Sequence, residues 1–283
     1  MGAFGGAVSL AKNYDFAIIG VPYDDKSTYL KGTAQGPQAI RDASTDDMIN
    51  PFTELGVDLK TDTILADLGD IEVSGNYHEV SDRIQACLQG ILERSAVPVV
   101  LGGDHSVTFP AVQALAKSYP SLDILHFDAH PDLYDEFESD PYSHASPFAR
   151  ILEYELADRI VQVGIRAATA QNRQKAAQYG VEMLEMKDLR ELPRLSFSNP
   201  LYISFDMDAL DPAFAPGVSH HEPGGLSTRQ ALNILHDLEA DIAGLDVVEV
   251  NPSRDGSGMT AVTAAKIVME IVGKIVHSSK MSK

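Results

Sequence analysis

The 283-residue chain is 44% apolar and 22% charged, ordinary for a globular protein and ample for one α/β domain with a sizeable core. Its formal charge of −19 argues against nucleic acid and anionic membranes as partners, and a single cysteine, Cys87, excludes an intramolecular disulfide or a cysteine-built zinc site. No apolar run reaches the roughly 18 residues needed to span a bilayer, and the N-terminus lacks the basic stretch of a secretory signal, so the expected compartment is the cytoplasm.

Along the chain, short apolar runs alternate with longer amphipathic stretches. The runs are FAIIGVP (16–22), TILADLG (63–69), PVVLGG (98–103), LDILHFD (122–128), RIVQVGI (159–165), PLYISFD (200–206) and AGLDVVEV (243–250). Helical patterns fall at 36–44, 78–95 (with Cys87 as a small buried hydrophobe), 107–120, 227–240 and 260–276. Runs that are apolar on both faces suit a parallel sheet covered by helices. Strand–helix alternation over residues 1–283 with no linker or repeat predicts a single α/β domain built as a sandwich.

Four of the runs end in polar clusters. PVVLGG leads to Asp104-His105-Ser106, and LDILHF to Asp128, His130 and Asp132. PLYISF leads to Asp206 and Asp208, with Asp211 beyond, and AGLDVV to Glu249 and Asn251. In an open parallel sheet all carboxyl ends share one edge, where ligands bind. Asp128, His130 and Asp132 recur at period two, as do Asp206 and Asp208, so in an extended chain each set points one way. With His105 they offer four carboxylates and two imidazoles, too many for one tetrahedral zinc. Two ions about 3.5–4 Å apart with bridging carboxylates would use them all. A set without thiolate favours manganese and leaves nickel, cobalt and iron open. Cations would also relieve the repulsion among acids gathered at one edge. Asp104 and Asp211 read as caps, turn residues or partners that orient ligands.

At these residues the sequence resembles the ureohydrolases, the family of arginase and agmatinase. The motifs are GGDHS (102–106), DAHPD (128–132), SFDMDALDP (204–212) and EVNP (249–252), and the likeness runs from GVPYD at 20–24 to the final helix. The resemblance implies a three-layer α/β/α sandwich around a parallel, eight-stranded sheet, and a homo-oligomer, trimer or hexamer. It implies two Mn²⁺ ions, one held by His105, Asp128, Asp132 and Asp206, the other by His130, Asp128, Asp206 and Asp208. Glu249 matches the acid that receives the substrate guanidinium, and His144, in YSHASPF, the proton-transfer histidine, for which an unperturbed pKa near 6.5 is suited. Asp128 is expected to take a proton from the attacking water and pass it to the departing amine. His126 has no ligand counterpart and reads as a packed or ligand-orienting residue.

The expected substrate is a small cationic guanidino compound. The segment from 129 to 151 resembles plant-type arginases rather than animal ones, which points to L-arginine. The contacts that animal arginases make with the amino-acid head group have no counterpart here, so agmatine, or another guanidino compound, is the alternative. Arg150 and Arg166 are the basic residues available to a substrate carboxylate. Asp135, Glu136 and Glu138 read as a solvated loop that would also attract an ammonium. Of His220 and His221, one is expected at the pocket mouth and one in a structural role. Other classes fit less well. A two-metal phosphoesterase would want basic residues at the phosphate. A single-zinc deacetylase of similar fold would have fewer carboxylates. An inactive metal-binding member would be expected to have lost a ligand.

Overall fold

A computed structural model of the chain describes residues 2–7, 13–45 and 47–281. Its centre is an eight-stranded sheet, every pairing parallel, in the order β2-β1-β3-β8-β7-β4-β5-β6. The strands are β1 (Phe16–Gly20), β2 (Leu65–Asp70), β3 (Val97–Leu101), β4 (Asp123–Phe127), β5 (Arg159–Ile165), β6 (Glu182–Glu185), β7 (Leu201–Asp206) and β8 (Ile242–Val248). The seven predicted runs are all strands. The eighth, β6, escaped because Glu-Met-Leu-Glu at a half-exposed sheet edge carries no apolar run.

The helices are α1 (Gly36–Ala43), α2 (Tyr77–Leu92), α3 (Thr108–Ser118), α4 (Pro147–Glu153), α5 (Ala170–Tyr179), α6 (Thr228–Asp237) and α7 (Met259–Met281). Strand residues alternate between two cores. Phe16, Ile18, Val99 and Leu101 face one, with Ile40 of α1, Leu232 of α6 and Val268 of α7. Ala17, Ile19 and Val100 face the other, with Ile84 of α2, Val112 of α3, Phe148 of α4 and Ala176 of α5. This is the expected three-layer sandwich. Asn76 and Glu79 form a capping box that starts α2, as Thr169 with Asn172 and Ser227 with Gln230 start α5 and α6. Each box satisfies two helix-end N–H groups that would otherwise lack partners. Helix α5 was not predicted because only Asn172 and Ala176 are buried along it, so it has no apolar stripe. Cys87 is only half-buried on α2, beside the second core.

The topology positions the site. β3 and β4 are consecutive in the chain among the central strands, yet β8 and β7 lie between them in the sheet. The four runs that end in polar clusters are therefore the four adjacent central strands β3-β8-β7-β4, and their carboxyl ends meet. Among the described residues no helix is long and apolar enough to cross a membrane.

Candidate metal centre and substrate pocket

Each of the four strand ends turns in the same way. A side-chain oxygen accepts the backbone N–H two residues on: Asp104 from Ser106 (3.0 Å), Asp128 from His130 (2.6 Å), Asp206 from Asp208 (2.8 Å) and Asn251 from Ser253 (3.2 Å). These are Asx turns, and they correct the expectation drawn from the period of two. β4 stops at Phe127, Asp132 is left-handed at φ 51°, and Asp208 lies in a 3-10 turn. Asp128 and His130, like Asp206 and Asp208, are two apart because the first caps the second's backbone, not because an extended chain aims them alike.

The side chains form two groups that share Asp128. His105 Nδ1 lies 3.2 Å from Asp128 Oδ2, 3.0 Å from Asp132 Oδ2 and 3.2 Å from Asp206 Oδ2. His130 Nδ1 lies 3.3 Å from Asp128 Oδ1 and 3.0 Å from Asp208 Oδ2. The second oxygen of Asp206 is held by Asp208 N–H, and that of Asp208 by Ala129 N–H at 3.0 Å. Backbone donors thus fix one oxygen of each and leave the other facing an imidazole. Close approach of strands makes room: at Gly164 a Cβ would lie 2.8 Å from the Asp128 carbonyl oxygen, and its φ of 103° is itself a glycine conformation.

The donor set fits a cation. Ser204 Oγ donates to Asp246 Oδ1 at 2.7 Å, and a hydroxyl has one proton, so it accepts from His105 Nε2 at 3.0 Å. In the neutral ring His105 Nδ1 then carries the lone pair. It is buried, makes no hydrogen bond, and faces three carboxylate oxygens that also need positive charge. Burial and then Asp208 and Asp128 raise Asp206 well above the ordinary carboxylate range, and burial with Asp128 lifts Asp132 to about 6. Burial lowers His105 and His130, but the surrounding aspartates outweigh it and raise both overall. Such a cluster demands cations, as protons or as metal ions.

His126 also lies within metal-ligand distance of His105 and Asp128, but its ring is committed. Gln162 Nε2 donates to the Pro131 carbonyl at 2.7 Å, which fixes the amide orientation, and so donates to His126 Nδ1 at 3.0 Å. His126 Nε2–H then donates to Asp128 Oδ2 at 2.9 Å. Burial lowers its pKa to about 4, in keeping with a neutral donor stacked on Phe148 at 3.8 Å. It orients Asp128, the role the sequence suggested.

Glu249 and His144 line the cavity of about 210 Å³ that opens over Asp206, Asp208 and His130. Glu249 is left-handed at φ 64°, an uncommon state for a side-chain-bearing residue that tends to mark functional sites. Its Oε1 accepts from His105 N–H at 3.0 Å, and burial, then Asp104, raise its pKa well above the usual range. His144 Nε2 is 2.9 Å from Thr28 Oγ1, and its Nδ1 is 3.9 Å from Glu249. Burial above all, then His220, His105 and His130, lower His144 to about 3. That lies below the near-neutral value expected from the sequence.

His220 stacks on His144 (centroids 5.4 Å apart) and lines the cavity, whereas His221 is exposed and bonded to the Pro216 carbonyl. Asp104 caps the 3-10 turn after β3, and Asp211 accepts from Ala213, Gly224 and Gly225 N–H, a turn residue. Asp135, Glu136 and Glu138 are exposed and lie outside the cavity lining. Both basic candidates for a substrate carboxylate are corrected. Arg166 spends its guanidinium on the carbonyls of Glu222, Gly164, Ala209, Asp208 and Leu210, and Arg150 is paired with Glu153 and Asp135 outside the cavity lining. Sequence reasoning overlooked Thr28, Gln162, Asn172, Ser204 and Asp246. Gln162 and Asp246 had a usable signal, being polar residues in the middle of apolar strands, where burial demands a partner.

The model of the arginase family matches residues 14–273. "Arginase 1, mitochondrial" of Arabidopsis thaliana is 46% identical over 92% of this chain and 80% of its own length. The agmatinase of Bacillus subtilis (strain 168) is 34% identical over 95% of this chain and 97% of its own. The solved arginase from Medicago truncatula superposes with a TM-score of 0.88 at 44% identity, covering 92% of this chain and 87% of that one. Its fold, its motifs and these relatives agree: the chain belongs to the arginase family.

Proposed function

We propose that the chain is one ureohydrolase domain that hydrolyses L-arginine to L-ornithine and urea. The observation that carries this is the pair of ligand groups sharing Asp128 beneath a cavity lined by Glu249 and His144. The 46% identity to the Arabidopsis arginase supports arginine as the first choice of substrate. His105, Asp128, Asp132 and Asp206 would hold one divalent ion, and His130, Asp128, Asp206 and Asp208 the other. Oxygen and imidazole donors without thiolate suit manganese. When bound, such a pair supplies water activated for attack near neutral pH.

The residues do the rest. The guanidinium carbon is a weak electrophile because its charge spreads over three nitrogens. Glu249 accepts the planar N–H fork and holds that carbon in place, and the substrate's charge returns the buried carboxylate to its ionised form. The bond cleaved joins that carbon to the chain nitrogen. Water supplies the oxygen of urea, and its protons go to the departing amine. Asp128 moves one of them, and His144, in the cavity wall beside Glu249, relays protons to solvent. The protein would work in the cytoplasm as a trimer or hexamer, although the plant relatives carry mitochondrial or chloroplastic in their names.

The test is urea release by Mn²⁺-loaded protein from L-arginine, agmatine, 4-guanidinobutyrate and guanidine. Turnover of arginine well above the others is expected. Dominant turnover of agmatine would keep the mechanism and change the substrate, and no urea from any would overturn the reading.

A further inference from the structure

With Arg166 spent on carbonyls and Arg150 outside the cavity lining, the far end of the substrate needs another partner. Asn172, in the first turn of α5, is fully buried and lines the same cavity as His130, His144 and Glu249. Its Oδ1 accepts from the Thr169 backbone N–H at 3.0 Å and from the Thr169 hydroxyl at 2.9 Å. A backbone N–H can only donate, so the atom facing it is the amide oxygen and the side chain cannot be turned over. The other end, Nδ2, is a two-proton donor with no hydrogen-bond partner among the described residues. Buried donors left unmatched are rare and costly, and the residue that carries this one lines the cavity.

Two neighbouring cations offer no competing grip. Arg173 Nη1 donates to the Ala168 carbonyl at 2.6 Å, and Lys175 is paired with Asp135. Ala167, also in the wall, has no polar side-chain atom.

We infer that the Asn172 amide donates to the substrate's far-end carboxylate and so selects guanidino acids over guanidino amines. The inference rests on the proposed guanidino hydrolase reading and adds its substrate class. Agmatine ends in an ammonium, which is itself only a donor and gains nothing from Nδ2. Arginine and 4-guanidinobutyrate both end in an acceptor.

Asn172→Asp tests this with little change of shape. It keeps the oxygen that caps Thr169 and replaces the donor by a second, negatively charged acceptor. The Mn²⁺-loaded variant should lose roughly tenfold to a hundredfold in kcat/KM for arginine and 4-guanidinobutyrate, the loss expected for a hydrogen bond to a charged group. The loss should lie mostly in KM, and turnover of agmatine should hold or rise. Asn172→Ala should show the same selectivity with a smaller effect. Calorimetry gives a readout without turnover: L-ornithine should bind the wild-type protein more tightly than putrescine, and Asn172→Asp should erase that difference. In wild-type protein, ornithine but not putrescine should shift the NMR signals of the Asn172 amide group, whatever the variants' folding. Equal losses for arginine and agmatine, or no change in either, would overturn the inference, as would amide signals that ignore ornithine. Absence of urea from every guanidino compound, with ornithine still distinguished from putrescine, would instead count against the hydrolase reading.

Discussion

The hydroxyl of Ser204 stands 3.0 Å from Nε2 of His105, and because its proton is given to Asp246 it can only accept there. In the neutral ring one buried hydrogen bond thereby sets the tautomer of an imidazole on the neighbouring motif and turns its Nδ1 lone pair toward three carboxylates. Asp246 accepts also from Thr108 at 2.8 Å and Tyr202 at 2.7 Å. The parallel register puts Gln162, His126, Ser204 and Asp246 in one row across four strands. That row is the polar floor on which the cluster rests.

Ser204→Ala removes the acceptor and frees the other tautomer. Loss of a ligand-orienting partner typically costs about 10–100-fold in metal affinity. Titration with Mn²⁺ against a competing chelator should show a loss of that order with little change in melting temperature. Unchanged affinity would mean that His105 is not held for a metal by this bond.

Glu249→Gln should leave metal content intact and lower kcat/KM for arginine by roughly 10–100-fold, since the acceptor of a charged hydrogen-bonded pair becomes neutral. Asp128→Ala should do the opposite, stripping the shared carboxylate, so that bound metal and activity fall together. Metal analysis beside urea release separates the two. A Glu249→Gln protein without metal would show that its role lies in the cluster.

Arg166→Lys should destabilise the fold. One ammonium cannot replace a planar fork that reaches five carbonyls from Gly164 to Glu222, and stranded buried carbonyls cost about 1–3 kcal/mol each. A loss of roughly 2–4 kcal/mol in denaturant unfolding is expected. Arginine and agmatine turnover should fall by the same factor. A loss confined to arginine would return Arg166 to a role at the substrate carboxylate.

His126 makes the metal-free protein acid-sensitive in a defined window. Its pKa falls from 6.5 to about 4 on folding, so between those values the unfolded chain binds more protons. Stability owed to this group is whole above pH 6.5 and drains away as the pH falls toward 4, by up to roughly 3 kcal/mol. Unfolding free energies across that range should fall less steeply in His126→Gln. Parallel slopes in the two proteins would show that His126 is not buried as a neutral ring.

Much of this molecule could be read from residues near one another in the chain. Seven apolar runs, five helical patterns and four polar strand ends follow from local periodicity, which burial on a covered parallel sheet imposes directly. The acidic and imidazole groups stood out because such residues rarely close an apolar strand without a task. What needed the tertiary structure was the state of each group. Sequence order cannot show that β8 and β7 fill the gap between β3 and β4, which brings Ser204 and Asp246 under His105. Nor can it show that Arg166 exhausts its donors on distant carbonyls while Asn172 keeps one free. Availability depends on which partners lie within hydrogen-bond reach, and the chain brings those partners from far along the sequence, 56 residues for Glu222 and Arg166 and 99 for Ser204 and His105.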